Sequence, residues 1–422
     1  MEGFSGTHRY VLDYLTEEVL DRQPESLRAF LLETSILDRV CGPLAAAVTG
    51  RPDSQQLLED IERANLFLLP LDEERRWWRY HHLFADLLRA RLRQAEPDRV
   101  PALHRAAAAW CEQHELADDA IRHVLAAGDP IWAAHLIERH FDARFIQSEA
   151  TTLERWLAAL PAELVGTRPR LGLARTFTPP VAATDAIEPL LDEAERAMAG
   201  AVDESYEPSV GRGASLLANV PAAIALQRAA LAQLRGDADQ TVALARQARA
   251  ELSDGEWMLE SVASWYLAVA EWLRGRLAAA EEALASSITG WRAAGQPSLA
   301  GWAYHYLGQV LQAQGRLDAA LGRYREALEV GRGPGSAAPQ LTGIAQVGMA
   351  EVAYQRGELD AALGHATEGI GRPAWWSRSA PVSWRCWGCW RPARPTGASP
   401  RSWWSPWTPS SATSATCSPS SR

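Results

Sequence analysis

The groups in this 422-residue chain that could carry proton, metal or nucleophile chemistry are few once spacing is considered. His104, His114, His123, His135 and His140 crowd one stretch, but no two stand three or four residues apart on one helical face, as zinc ligands on a helix do. They are read as structural. Glu17-Glu18, Glu73-Glu74 and Glu281-Glu282 are adjacent carboxylates with no apolar enclosure to raise a pKa, so they are read as solvated charges. No G-x-S-x-G elbow and no H-E-x-x-H occurs. Cys386-Trp387-Gly388-Cys389 has C-x-x-C spacing but no second pair and no histidine partner, and it is not read as a redox or zinc site. The five cysteines do not form a disulfide framework in so long a chain. All forty-two basic residues are arginine. A phosphate-cradling G-x-x-x-x-G-K-[ST] loop needs lysine and cannot be written. No enzyme activity, metal or bound cofactor is expected of this chain.

One histidine pair remains, His81-His82, and the elements around it define a joint. Leu66–Leu71 is a short apolar run, Asp72–Arg76 a charged turn and Trp77–Tyr80 a second, aromatic run, which predicts a β-hairpin. Leu83, Phe84, Leu87, Leu88 and Leu92 then recur at helical spacing, with Arg89, Arg91 and Arg93 favourably placed toward the C-terminus. Upstream, Glu25–Leu37, Pro43–Val48 and Ser54–Ala64 predict three short helices, with Asp53 as the N-cap of the last. Three helices, a two-stranded wing and a closing helix make a winged-helix module over residues 25–95.

The residues GTHRYVLDYLTEEVLDRQPESLRAFLLETSILDRV, then IERANLFLLPLD and WWRYHHLFADLLRARL, closely resemble the region after the nucleotide-binding domain of the large ATP-dependent LuxR-type transcription activators, the MalT-like group of signal-transducing ATPases. The resemblance runs from about Phe4 to Ile370 and is strongest before Leu92. It implies a nucleotide-binding domain, a winged helix, a helical-repeat sensor and a C-terminal helix-turn-helix in that order, with ATP as cofactor of the intact family. It also implies a role for His81. In the related ATPases a histidine in an M-H-D-L-like stretch touches the nucleotide's phosphate and holds the closed state, and Tyr80-His81-His82-Leu83 resembles that stretch, with His82 in the aspartate's place. The alternative is that His81 or His82 caps the helix entrance. Residues 1–24 are read as the truncated end of the nucleotide-binding region, His8–Leu20 being an amphipathic helix.

From Arg99 to about Leu164 small and aliphatic residues at three- and four-residue steps predict stacked helical hairpins, so residues 96–205 are assigned as a helical linker. Pro179-Pro180 interrupts it, leaving the first repeat incomplete. Regular repeats follow over residues 206–371. Gly236, Gly275, Gly315 and Gly357 mark turns at steps of 39, 40 and 42 residues. In the third repeat Leu307, Gly308, Leu311, Gly315, Ala320, Tyr324 and Ala327 fit a tetratricopeptide pattern, where glycine and alanine permit close approach and the larger residues fill between helices. Such an array carries a concave surface for a peptide, protein or small effector. Trp265, Trp272, Trp302, Tyr304 and Tyr306 are the candidate groove residues, with gap filling between helices as the alternative.

Residues 372–422 break the pattern: no aspartate or glutamate, seven arginines, and eight of the eighteen tryptophans. The segment lacks periodicity and is rich in Pro and Ser, so disorder is expected. Two readings of the break are open: a true disordered tail, or a reading-frame shift near Gly371, which would fit because tryptophan has one GC-rich codon and the absence of lysine points to a GC-rich gene.

The sequence therefore predicts a mostly α chain, a winged helix followed by a TPR-like superhelix. Its expected role is the relay and sensor portion of a MalT-like regulator, without P-loop or helix-turn-helix. The competing reading is a freestanding TPR-like adaptor that holds a protein partner. DNA binding through Arg75, Arg76 and Arg79 on the wing is disfavoured by Asp72, Glu73 and Glu74 beside them and by the net charge of −10. Expected partners are a small-molecule or protein inducer and a second copy of the chain, with no specific DNA and no membrane. No run of eighteen apolar residues and no signal pattern occurs, so a cytoplasmic location is expected.

Overall fold

The computed structural model describes residues 19–147, 149–178, 185–200, 206–333 and 339–370. The expected helix at His8–Leu20, Pro179-Pro180 and the 372–422 tail lie largely or wholly outside these. The chain divides into two compact units, residues up to Arg175 with Arg196–Val210, and Thr176–Glu195 with residues from Gly211 onward.

The first unit opens with the winged helix. Helices α1 (Glu25–Thr34), α2 (Gly42–Thr49) and α3 (Ser54–Arg63) precede strands β1 (Leu68–Pro70) and β2 (Trp78–Tyr80), and α4 (His82–Ala95) closes the module. The strands are antiparallel, with Leu68 opposite Tyr80 and Pro70 opposite Trp78. Val40 adds a bridge on the other side of β2, exchanging both backbone hydrogen bonds with Trp78 at 2.8 Å. Phe30, Leu31, Leu58, Ile61, Trp78, Phe84 and Leu88 form the core. Tyr80 reaches Thr34, O to O 2.7 Å, and the Thr34 hydroxyl itself donates to the carbonyl of Phe30, so the tyrosine donates. Asp53 takes the N-cap position of α3, but its carboxylate is held by the Arg51 guanidinium at 3.0 and 3.2 Å and makes no cap bond. The expected cap is thus corrected: a charged donor two residues away outcompetes the backbone N–H groups.

Helices α5 (Val100–Gln113), α6 (Ala117–Ala126), α7 (Pro130–Ile146), α8 (Ala150–Ala158), α9 (Ala162–Thr167) and α10 (Pro169–Arg175) continue as the predicted hairpins. Helix α5 packs on α2 of the winged helix. Ion pairs Arg122–Asp38 at 2.7 Å and Arg39–Asp119 at 2.9 Å join the same two parts.

Helix α11 (Ile187–Met198), which belongs to the second unit up to Glu195, precedes the array in sequence. The helix pairs are α12 (Val220–Leu234) with α13 (Ala238–Glu251), α14 (Trp257–Leu273) with α15 (Leu277–Ala293), α16 (Pro297–Ala313) with α17 (Leu317–Arg332), and α18 (Pro339–Gln355) with α19 (Leu359–Ile370). The predicted turn glycines each adopt a left-handed φ, from 76 to 79°. Tyr324 is fully buried between Gly308 and Gly348, where an added Cβ would sit 2.6 and 2.5 Å from its ring. Its hydroxyl donates to Gln312 Oε1 at 2.9 Å. Along one edge, arginines at the turns reach acids of the preceding pair: Arg274 to Asp239, Arg316 to Glu281 at 2.8 Å, and Arg356 to Asp318.

Two glycines of this array respond oppositely to a methyl group. Gly308→Ala should lower stability by about 1–3 kcal/mol, because the ring it meets is enclosed. Gly322→Ala, on α17 with open space around it, should raise it by about 0.5–1 kcal/mol. Urea unfolding of both variants measures the pair.

Candidate functional site

Strand β2 ends one residue before His81, which stands at the N-cap position of α4. Its backbone N–H donates to the carbonyl of Phe67 at 2.8 Å, and its carbonyl accepts from Phe84 and Ala85 at 2.9 and 3.0 Å. The backbone alone makes this helix entrance, for His81 provides no side-chain cap. The half-buried imidazole lies against His82, centroids 4.3 Å apart, and edge-on to Phe67 at 6.5 Å. Among the described residues neither imidazole has a hydrogen-bond partner.

Phe67 is held with φ at 55°. Asn65 shares that left-handed conformation, where it ends α3: Leu66 N–H bonds back to the carbonyl of Ile61 at 3.1 Å, the usual helix-ending arrangement with Asn in the left-handed place. Phe67 has no such reason, and a bulky residue there costs on the order of 1–2 kcal/mol. The same kink makes β1 shorter than the predicted strand.

On the wing, Arg75 pairs with Glu62 at 3.4 Å and Arg76 with Glu74, while Arg79 is exposed. An open cleft of about 1040 Å³ is lined by Arg63, Arg75 and Arg76 and equally by Glu59, Glu62 and Glu74. Alternating charges of this kind offer no continuous cationic track for a phosphate backbone.

The five groove candidates separate by burial. Trp265, Trp302 and Tyr304 are buried, and Trp265 packs against Trp291 at 5.6 Å and against Tyr306 at 4.7 Å. Tyr304 lies beneath the Arg323 guanidinium at 5.9 Å. Only Trp272 and Tyr306, in edge contact at 6.1 Å, are half-buried rather than buried. His305, between Tyr306 and Tyr324, is buried, and desolvation alone pulls its pKa down to about 3.

One arrangement was invisible to spacing along a helix. His104 on α5 and His123 on α6, nineteen residues apart, meet with Nδ1 atoms 2.8 Å from each other, so one ring donates and the other accepts. Burial, reinforced by the Arg122 charge, lowers His104 to about 4 and His123 to about 3. No group of three metal-ligating side chains occurs among the described residues. Cys111 is buried as well, and burial pushes its thiol up to about 12, which keeps it a thiol rather than a nucleophile.

A winged helix followed by a tetratricopeptide-like array is the class these features define. Residues 16–100 match the MalT winged helix domain and residues 222–383 the MalT-like TPR region. The chain is 36% identical over 207 residues to the HTH-type transcriptional regulator MalT of Cronobacter sakazakii, 49% of this chain and 23% of that one. It is 39% identical over 174 residues to the serine/threonine-protein kinase PknK of Mycobacterium tuberculosis, 41% of this chain and 16% of that one. A STAND protein with a tetratricopeptide repeat sensor from Pyrococcus horikoshii shares the fold at a TM-score of 0.62 and 13% identity, covering 88% of this chain and 53% of that one. The chain carries a MalT-type winged helix and a MalT-like TPR region, and it spans less than a quarter of the length of these two curated relatives. No helix among the described residues is long and apolar enough to cross a membrane.

The buried histidines set a sign for pH dependence. His104, His123 and His305 have folded pKa values below the ordinary 6.5, so the unfolded chain binds more protons than the folded one between those limits. Their contribution to stability should be complete above about pH 6.5 and be lost as pH falls toward 4 and 3. Urea midpoints from pH 8 to 4 should fall less steeply in His123→Gln than in the parent.

Proposed function

We propose that this chain works as the relay and sensor portion of a MalT-like, ATP-dependent LuxR-type transcription regulator. The repeat array receives the inducer, a small molecule or a protein, and the winged helix passes its state to a nucleotide-binding domain through His81. The observation that carries the reading is His81 itself: an accessible imidazole without an internal hydrogen-bond partner, set by backbone bonds at the seam of wing and closing helix. An imidazole so placed can donate to a phosphate oxygen. Winged-helix and TPR-like domains are in general non-catalytic, and the relay acts through binding alone. The names of two relatives support an input role for the shared region, since one is a protein kinase and the other a transcriptional regulator. ATP belongs to the nucleotide-binding domain in this reading, self-association follows from the loaded state, and the relay and sensor themselves bind no specific DNA. The cytoplasm is the compartment in which such a regulator meets its nucleotide and its genes.

The test replaces the winged helix of the Cronobacter regulator with residues 16–100 of this chain. With His81 present the chimaera should retain bound nucleotide through gel filtration. His81→Ala should weaken nucleotide affinity by about tenfold, the worth of one charge-assisted hydrogen bond. Equal retention and an equal response threshold in the two proteins would remove the sensing role.

A further inference from the structure

A left-handed backbone at a phenylalanine needs a compensating reason, because glycine would occupy φ 55° without cost. The fold uses two parts of Phe67. Its carbonyl, turned by the unusual φ, accepts the His81 N–H at 2.8 Å and extends the β1–β2 ladder by one more bond beyond Leu68 opposite Tyr80. Its ring, half-buried, meets His81 at 6.5 Å with planes at 63° and Phe84 at 5.5 Å with planes at 43°. Phe84 in turn is fully buried and packs on Tyr80 at 6.2 Å. A line of rings therefore runs from the core to the half-buried His81, and Phe67 is the member beside it. Glycine at position 67 would serve the backbone and remove that ring.

We propose that Phe67 is a positioning residue for His81: its left-handed backbone and its ring together restrict the imidazole to one orientation at the entrance of α4. The inference deepens the sensing role given to His81 and rests on that role only for its biological purpose. The His82 ring also lies against His81, centroids 4.3 Å apart.

Side-chain NMR of the full chain, labelled on histidine, reads the orientation without any nucleotide. The parent should show His81 couplings of a single χ1 rotamer. Phe67→Asn keeps a residue that tolerates the left-handed region and deletes the ring. It should fold, and its His81 couplings should average among rotamers with a change in ring-proton shift. Phe67→Tyr should restore the parent pattern. Ile61→Val, a core change in the adjacent helix, controls for general loosening and should leave His81 ordered. The proposal is overturned if Phe67→Asn leaves His81 in one rotamer, or if Ile61→Val disorders it equally. A null result for His81→Ala in the chimaera would end the sensing role and leave these spectra unchanged, so the two ideas fail separately.

Discussion

The first unit depends on how one tryptophan is held. Trp78 is fully buried and bonded on every side: its backbone exchanges two hydrogen bonds with Val40, its strand pairs with β1, and its indole N–H donates to Glu62 of α3 at 2.9 Å. A large apolar ring supplies burial while its single polar atom fixes direction, so the wing cannot slide against the helices without leaving a buried indole N–H unpaired. His81 stands three residues further on. Its place in space is inherited from Trp78, and the local turn at Phe67 only refines it.

The second unit is held differently. Each pair of helices touches mainly its neighbours, so the array is a stack whose stability is approximately a sum over contacts between successive helices. The close approaches are made where side chains are missing, as at Gly308 and Gly348 against Tyr324, and Gly301 against Leu341 and Val330. Burial of aromatics within such a stack leaves little of them for a ligand, which narrows the accessible aromatic surface among the groove candidates to Trp272 and Tyr306.

Periodicity made the winged helix legible from sequence, because Leu83, Phe84, Leu88 and Leu92 lie on one face and the opposite face is charged. It made the repeat turns legible because only glycine meets a left-handed φ so regularly. It could not distinguish Trp265 from Trp272. Helix α14 is apolar nearly all round and buried nearly all round, so no stripe marks an outside. The His104–His123 contact was hidden for another reason: it depends on the register of α5 against α6, which no pattern within either helix encodes. Asp53 does stand at the N-cap of α3, but the absence of its side-chain cap bond was not foreseeable, because capping propensity ignores a nearby guanidinium.

The edge of the array carries a consequence for its chemistry in the cell. Every cross-pair rung named along it, Arg274–Asp239, Arg316–Glu281 and Arg356–Asp318, uses arginine, in a chain without lysine. A guanidinium keeps its proton to above about pH 12 and accepts no acetyl group or ubiquitin. Enzymes that edit the charge of lysine side chains therefore find nothing to edit on this edge, and the register of the stack is insulated from metabolic acylation.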